Sequence, residues 1–221
     1  MNMQHATCLI LAVTLLAAAN GLAGDEPTKK EAVAKEPAAP QFVDDKDLAQ
    51  WRVIAKNDFE KHGKVFAKDG ELILEQGQPA TGVAWSGEPP RMNYEVTLEA
   101  KRVAGDDFFC GLTFPIDKSY CTLIVGGWGG SVTGLSNIDN FPAVENETTG
   151  YTDFKPNRWY RIRLRVTPEK IEAWIDDDRF VNVETKDKKF SIWWEQEPVR
   201  PLGIASWNTT AVIRKLRVKR L

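Results

Sequence analysis

The sequence predicts an all-β protein, a two-sheet antiparallel jelly-roll sandwich built from a single domain. Short runs that alternate apolar and polar residues recur from residue 71 onward, each closed by Gly, Pro or Asp. No long segment carries the three-to-four-residue period of an amphipathic helix. One hairpin can also be set in register residue by residue. Many short strands at regular spacing define a sandwich or a barrel.

The first 23 residues carry no Asp, Glu, Lys or Arg, and an apolar run over 6–19 leads to Gly21-Leu22-Ala23. That is the pattern of a secretory signal peptide with a small-x-small cleavage site, too short to remain as a membrane span. Cys8 lies early in the run, away from the cleavage site, which argues against a lipid-anchored cysteine. An exported protein, periplasmic or extracellular and without a membrane span, is expected. Residues 24–41 are rich in Ala, Glu, Lys and Pro. Such a stretch buries too little apolar surface to offset its ordering entropy and reads as a disordered linker. Residues 42–221, about 180 in all, suit one domain with a substantial core. The formal net charge of −2 leaves no basic excess for nucleic acid or an anionic membrane. A monomer is expected.

Strands are predicted at 71–75, 82–86, 93–103, 108–114, 120–125, 159–167, 170–176, 180–184, 201–207 and 212–218, with a short helical turn before Trp51. In the strand from Tyr94 to Lys101, the residues Tyr94, Val96, Leu98 and Ala100 face the core. Glu95, Thr97, Glu99 and Lys101 face either bulk water or a groove. The loop Thr167-Pro168-Glu169-Lys170 sets Val166 opposite Ile171, Leu164 opposite Ala173 and Ile162 opposite Ile175. The other face then pairs Arg165 with Glu172, Arg163 with Trp174 and Arg161 with Asp176, so every pair is apolar or complementary. This ladder accounts for the three arginines without an anion site.

Two cysteines follow the leader, Cys110 and Cys121, on either side of the turn Pro115-Ile116-Asp117-Lys118. In an oxidising compartment the pair is expected to form a disulfide, the alternative being two free core thiols. His62 is the one histidine beyond the leader, which rules against a Ser-His-Asp triad or a multi-histidine metal site.

The segment Gly126-Gly127-Trp128-Gly129-Gly130 strips side-chain neighbours from one tryptophan. A bare indole plane is a stacking surface for a sugar ring; the competing reading is a bulged strand with its Trp tucked inward. A long polar loop over 136–148 follows, and Asn137, Asp139 and Asn146 in it suit sugar hydroxyls. They would equally suit calcium, a hard divalent ion taking oxygen ligands, or simply water. Acid–base work falls to carboxylates, with Glu99, Asp107 and Glu147 as the catalytic candidates and Asp106 beside them. Trp193-Trp194, next to Glu195 and Glu197, reads as a second aromatic platform or a hydrophobic plug.

Several stretches are similar to one family. Asp47-Leu48-Ala49-Gln50-Trp51 with Gly70-Glu71-Leu72-Ile73-Leu74, the strand from Asn93 to Glu99, and Phe109-Cys110-Gly111-Leu112-Thr113-Phe114 resemble the 3-keto-disaccharide hydrolase domain family. So do Arg158-Trp159-Tyr160, Ile171-Glu172-Ala173-Trp174-Ile175-Asp176 and Pro201-Leu202-Gly203-Ile204. The resemblance covers most of 42–221, with Cys110, Cys121 and the glycine-rich segment departing from the common pattern. It implies a concanavalin A-like jelly roll acting on a carbohydrate, in which glycosides oxidised at sugar carbon 3 are cleaved. The ketone acidifies the C2 proton, a base removes it, the glycosidic oxygen leaves, and water then adds. A non-catalytic carbohydrate-binding module and a scaffold domain of the cell envelope are the other two readings.

Overall fold

Apolar–polar alternation sorts the strands into two packed sheets. The structure, a computed structural model, describes residues 47–221. The leader and linker read from residues 1–41 lie outside the described residues. In chain order the strands are β1 (Trp51–Val53), β2 (Val65–Lys68), β3 (Glu71–Leu74), β4 (Ala80–Trp85), β5 (Tyr94–Gly105), β6 (Cys110–Ile116) and β7 (Ser119–Gly127). They continue with β8 (Val132–Ser136), β9 (Gly150–Tyr151), β10 (Tyr160–Val166), β11 (Lys170–Ile175), β12 (Asp178–Glu184), β13 (Gly203–Trp207) and β14 (Thr209–Arg220). Short 3₁₀ turns occupy Asp47–Gln50, Asn57–Phe59 and Trp194–Val199. Among the described residues no helix is long and apolar enough to cross a membrane.

One seven-stranded sheet runs β1-β4-β13-β6-β7-β8-β9, and the other runs β12-β11-β10-β5-β14-β3-β2. We call them sheet I and sheet II. Their pairings are antiparallel throughout, so the predicted jelly-roll sandwich is the observed fold. Leu72, Leu74, Val96, Leu98, Leu112, Phe114, Leu123, Val125, Ile162, Leu164 and Ile213 meet between the sheets in one continuous core. Full burial of each such side chain is worth about 1.5–3 kcal/mol, which is what locks the two-residue register of every strand.

The sheets differ on their outer sides. In β5 and β10 the buried positions alternate with half-exposed or exposed ones, so sheet II shows one face to solvent. In β6 and β8 every residue is buried, so sheet I is covered on both faces. A second apolar cluster supplies that cover. Ile54, Phe59 and Val199 come from the connecting segments, and Ile124, Val132 and Ala205 from the strands.

The hairpin of β10 and β11 pairs in the register read from the sequence: Ile162 with Ile175, Arg163 with Trp174, Leu164 with Ala173, Arg165 with Glu172, Val166 with Ile171. The charge partners differ, because β5 lies on the other side of β10. Arg165 donates to Glu95 at 3.0 Å, Glu172 is held by Arg179 at 2.8 Å, and Arg161 bonds Asp177 at 3.0 Å.

The disulfide is not formed: Cys110 and Cys121 are free, buried thiols. The tight turn at Asp117 sets Cys121 opposite Phe114 and Cys110 opposite Val125. The cysteines are therefore four positions out of register, which at about 3.3 Å per residue is roughly 13 Å along the strand and far beyond disulfide reach. Burial pushes both thiols up to about 12.

Candidate functional site

Three connections converge on the outer side of sheet I. The β5–β6 connection delivers Asp107 and Phe108, the β7–β8 turn delivers Trp128, and the segment before β13 delivers Trp193, Glu195 and Gln196. Ile124, Ser136 and Trp207 rise from β7, β8 and β13 to complete a cleft of about 210 Å³. Ligand pockets of drug size begin near 300 Å³, so this cleft is matched to one small ring rather than to a chain of them.

The glycine-rich segment shapes one wall. Trp128 adopts φ 49°, flanked by Gly126 at 80°, Gly129 at 82° and Gly130 at 99°. These left-handed positions make a tight reversal that throws the indole outward, leaving it 46% exposed. Gly130 is also a close approach, since a Cβ there would meet Arg102 Nη1 at 2.5 Å. Arg102 is itself buried and donates to the carbonyls of Gly130 and Phe154, at 3.3 and 3.0 Å, which clamps the turn from below.

Asp107 belongs to the same corner. Its Oδ1 accepts from the N–H of Phe108 at 2.7 Å, and its backbone exchanges two hydrogen bonds with the Thr209 hydroxyl, at 3.1 and 3.0 Å. Burial pushes the carboxyl above its ordinary range, although the N–H groups of Phe108, Gly129 and Trp128 pull the other way. Those donors make Asp107 the anchor of the Trp128 turn as much as a wall of the cleft.

Glu195 is the less satisfied carboxylate. Its Oε2 is buried with no hydrogen-bond partner among the described residues. Burial raises its pKa above the usual value, and the nearby charge of Asp58 raises it further; its own backbone N–H and the Trp193 side chain act against them. Gln196, only 4% exposed, likewise has an Oε1 without a partner among the described residues. Beneath them the register aligns Thr113, Thr122 and Ser136 across three strands, with the two threonine hydroxyls 2.9 Å apart. The cleft thus combines aromatic walls, the Ser136 hydroxyl and two carboxyl groups whose pKa values burial raises.

Of the residues singled out in the sequence, Asp107 and Trp128 meet in this cleft. The others lie elsewhere. Glu99 is on the outer face of sheet II, held by Arg214 Nε at 2.7 Å and Lys215 Nζ at 2.9 Å. Burial alone would raise its pKa, but those two cations win and hold it below the ordinary value. The strand carrying Glu95, Thr97 and Glu99 therefore faces away from Trp128. Glu147 pairs with Lys188 at the surface. Asn137 is buried and accepts from the Ser136 hydroxyl at 2.9 Å, and Asp139 accepts from the N–H of Lys189 at 2.8 Å.

Asn146 is committed to its own loop. Its Nδ2 donates to the carbonyls of Leu135, Phe141 and Pro142, and its Oδ1 accepts from both the N–H and the hydroxyl of Thr148. The oxygens that suited calcium in the sequence are thus engaged by protein donors. Among the described residues no three His, Cys, Asp or Glu side chains gather to hold a metal ion.

Phe108, Trp207, Glu195 and Gln196 are the cleft residues to which the sequence reading assigned no role. The signal for Glu195 was its place after Trp193-Trp194 and before Pro198, a carboxylate set among bulky apolar groups.

The fold is shared with solved structures at low identity. A Bacillus subtilis protein of unknown function with a galectin-like fold superposes with a TM-score of 0.57 at 12% identity, over 81% of this chain and 93% of that one. An endo-acting O-glycanase structure from prominent members of the human gut microbiota gives 0.51 at 11%, over 83% and 96%. The carbohydrate-binding module CBM66 from Bacillus subtilis gives 0.50 at 13%, over 77% and 95%. No curated protein sequence matches the chain. The class is thus the concanavalin-type β-sandwich. Within it, residues 38–219 match the 3-keto-alpha-glucoside-1,2-lyase-like domain, and the chain belongs to that family.

Proposed function

We propose that this protein is a carbohydrate-active enzyme that cleaves 3-keto-glycosides, with Glu195 as the base. The observation that carries this reading is the unpartnered, buried Oε2 of Glu195 in a one-ring cleft walled by Trp128, Trp193 and Trp207. A carboxylate with a raised pKa is a stronger base than an ordinary one, and the Glu195 side chain lines the cleft with one oxygen uncommitted to any protein donor among the described residues. The electron pair of the C2–H bond passes into an enolate over C2, C3 and the ketone oxygen. It then forms the C1–C2 double bond as the C1–O bond breaks, the leaving oxygen takes up a proton, and water adds across C1–C2. Gln196 and Ser136 are the uncharged polar groups that line the cleft, and Asp107 holds the Trp128 wall in place.

Incubation with a 3-keto-glucoside, with and without divalent metal, tests this. Wild type is expected to release the aglycone, and Glu195→Gln is expected to lose about 10²- to 10⁴-fold in kcat, the ordinary worth of a general base. No release by wild type sinks the enzymatic reading. Binding without cleavage is the second reading, favoured by the exposed Trp128 and by the engagement of Asp107 in anchoring it; the fold neighbour CBM66 is a carbohydrate-binding module. Under it, Glu195→Gln keeps full retention on an immobilised glycan while Trp128→Ala loses it. On the leader over 1–23, the protein acts outside the cytoplasm, and the mature form isolated from cells should begin at Gly24.

A further inference from the structure

The solvent face of sheet II carries its charges in rows laid across the strands, and one row differs from its neighbours. Directly opposed residues share a sheet face. On one side Glu172, Arg165, Glu95 and Lys219 oppose one another across β11, β10, β5 and β14, acids alternating with cations. On the other side Arg161, Glu99 and Arg214 alternate in the same way. The row between them is Trp174, Arg163, Thr97 and Arg217, which holds two arginines and no carboxylate. Thr97 stands where both flanking rows place a glutamate.

The ladder read from the sequence therefore accounts for Arg161 and Arg165 but not for Arg163. The Arg163 guanidinium rests on the Trp174 ring, and the carboxylate it approaches, Glu95 at 3.7 Å, is already bonded by Arg165 at 3.0 Å. The Arg217 side chain makes no ion pair or hydrogen bond among the described residues. The two arginines are two strand spacings apart, about 10 Å, with only the short Thr97 side chain between them. Together with Trp174 they line a groove of about 430 Å³, against about 210 Å³ for the cleft on sheet I. The carboxylates of the groove are already matched: Glu99 by Arg214 and Lys215, Asp176 by Arg158, and Asp177 by Arg161. Four lining cations against three lining carboxylates leave one positive charge over.

We infer that this groove is a second, non-catalytic site, which binds a uronate residue of a glycan through Arg163 and Arg217. It lies on the opposite sheet from Glu195, so it stands whether or not the cleavage reading holds. A guanidinium fork matches a carboxylate in shape and charge, and Trp174 holds one of the two forks in place. The ligand's carboxylate takes the position in the middle row that glutamate takes in the flanking rows. One surplus charge suits one carboxylate per ligand. A polyanion would meet Asp176 and Asp177 as well, the latter with 90% of its side chain exposed. To a hydroxylated ring those same oxygens are acceptors, while the Thr97 hydroxyl both accepts and donates. The volume falls within the range of small-ligand sites, about 300–1,000 Å³, and leaves room for a neutral ring beside the acidic one.

Cellobiouronate and cellobiose differ only in a carboxylate for a hydroxymethyl group, and calorimetric titration of both at low salt tests the site. Wild type is expected to bind cellobiouronate about 10-fold more tightly or better, as hydrogen bonds to a charged group allow. Arg217→Gln, a change at an exposed position, should remove most of that preference and leave turnover of a 3-keto-glucoside unchanged. Thr97→Glu, which completes the row from within, should abolish the preference. Trp128→Ala should keep it in full. Equal affinity of wild type for the two disaccharides overturns the site, and so does a preference that survives Arg217→Gln and Thr97→Glu. Loss of the preference in Trp128→Ala puts the ligand in the cleft and overturns it too. Acetate binding as tightly as cellobiouronate overturns the sugar assignment, and tighter binding of heparin overturns it in favour of a general polyanion surface.

Discussion

The two outer faces of this sandwich use carboxylates in opposite ways. On sheet II, Glu99 is gripped by Arg214 and Lys215, Glu95 by Arg165, and Glu172 by Lys170 and Arg179. Arg163 lies over Trp174, its guanidinium 3.7 Å from the ring centroid. The β-bulge between Arg214 and Arg217 puts Lys215 at φ 54°, and the consecutive cations Arg214 and Lys215 both reach Glu99. On sheet I, Glu195 keeps a buried oxygen without such a partner among the described residues, and the charge that acts on it is another carboxylate, Asp58. A paired acid is a structural group with its reactivity spent. An unpaired, buried one destabilises the fold, and the proposed role of Glu195 as a base gives that cost a use.

The same substitution on each face tests that contrast, and the largest effect expected is on turnover. Glu195→Gln should abolish nearly all activity on a 3-keto-glucoside, whereas Glu99→Gln should leave kcat/KM within about twofold of wild type. Equal loss in both would erase the distinction between the faces. Next in size is Trp128→Ala, expected to raise KM about tenfold with a smaller change in kcat, as the loss of a stacking plane does.

Stability should then move in opposite directions. The Glu99 pKa is lowered in the folded state, so its contribution is fully present above the ordinary carboxylate value and is lost as pH falls through the lowered one. Glu99→Gln should cost about 1 kcal/mol at neutral pH in urea unfolding. The Glu195 pKa is raised, so its contribution falls as pH rises from the ordinary value through the raised one. Above that window the buried ionised carboxylate is a burden, and Glu195→Gln should unfold at the same temperature as wild type or higher. The activity of wild type should accordingly fall on the acid side at a pH above the usual carboxylate range. Smallest of all is the response to reductant: with Cys110 and Cys121 unbonded and buried, dithiothreitol should leave the melting temperature unchanged.

The same contrast explains what was legible in the sequence. Neighbours joined by a short turn could be placed from spacing alone, as the β10–β11 register shows. The strands that alternate cleanly were found to within a few residues. β8 was not, because it leaves the glycine-rich turn and contains Gly134 at φ 156°, which breaks the pattern. The ion pairs on sheet II were misassigned because β5 reaches β10 across some sixty residues of chain, and sequence spacing carries no trace of that pairing. The disulfide failed on register, four positions over one hairpin. In the cleft, Trp128 announced itself by its glycines. Glu195 did not, since what sets it apart is the depth of its Oε2 and the approach of Asp58 from far upstream.

The five hydrogen bonds of the Asn146 side chain have a kinetic consequence. One amide ties Leu135, Phe141, Pro142 and Thr148 together, so the loop following Ser136 is pinned at its middle instead of hinged at its ends. A loop braced in that way opens only by breaking all of those bonds together, so the amide hydrogens of Leu135 and Thr148 should exchange slowly with solvent.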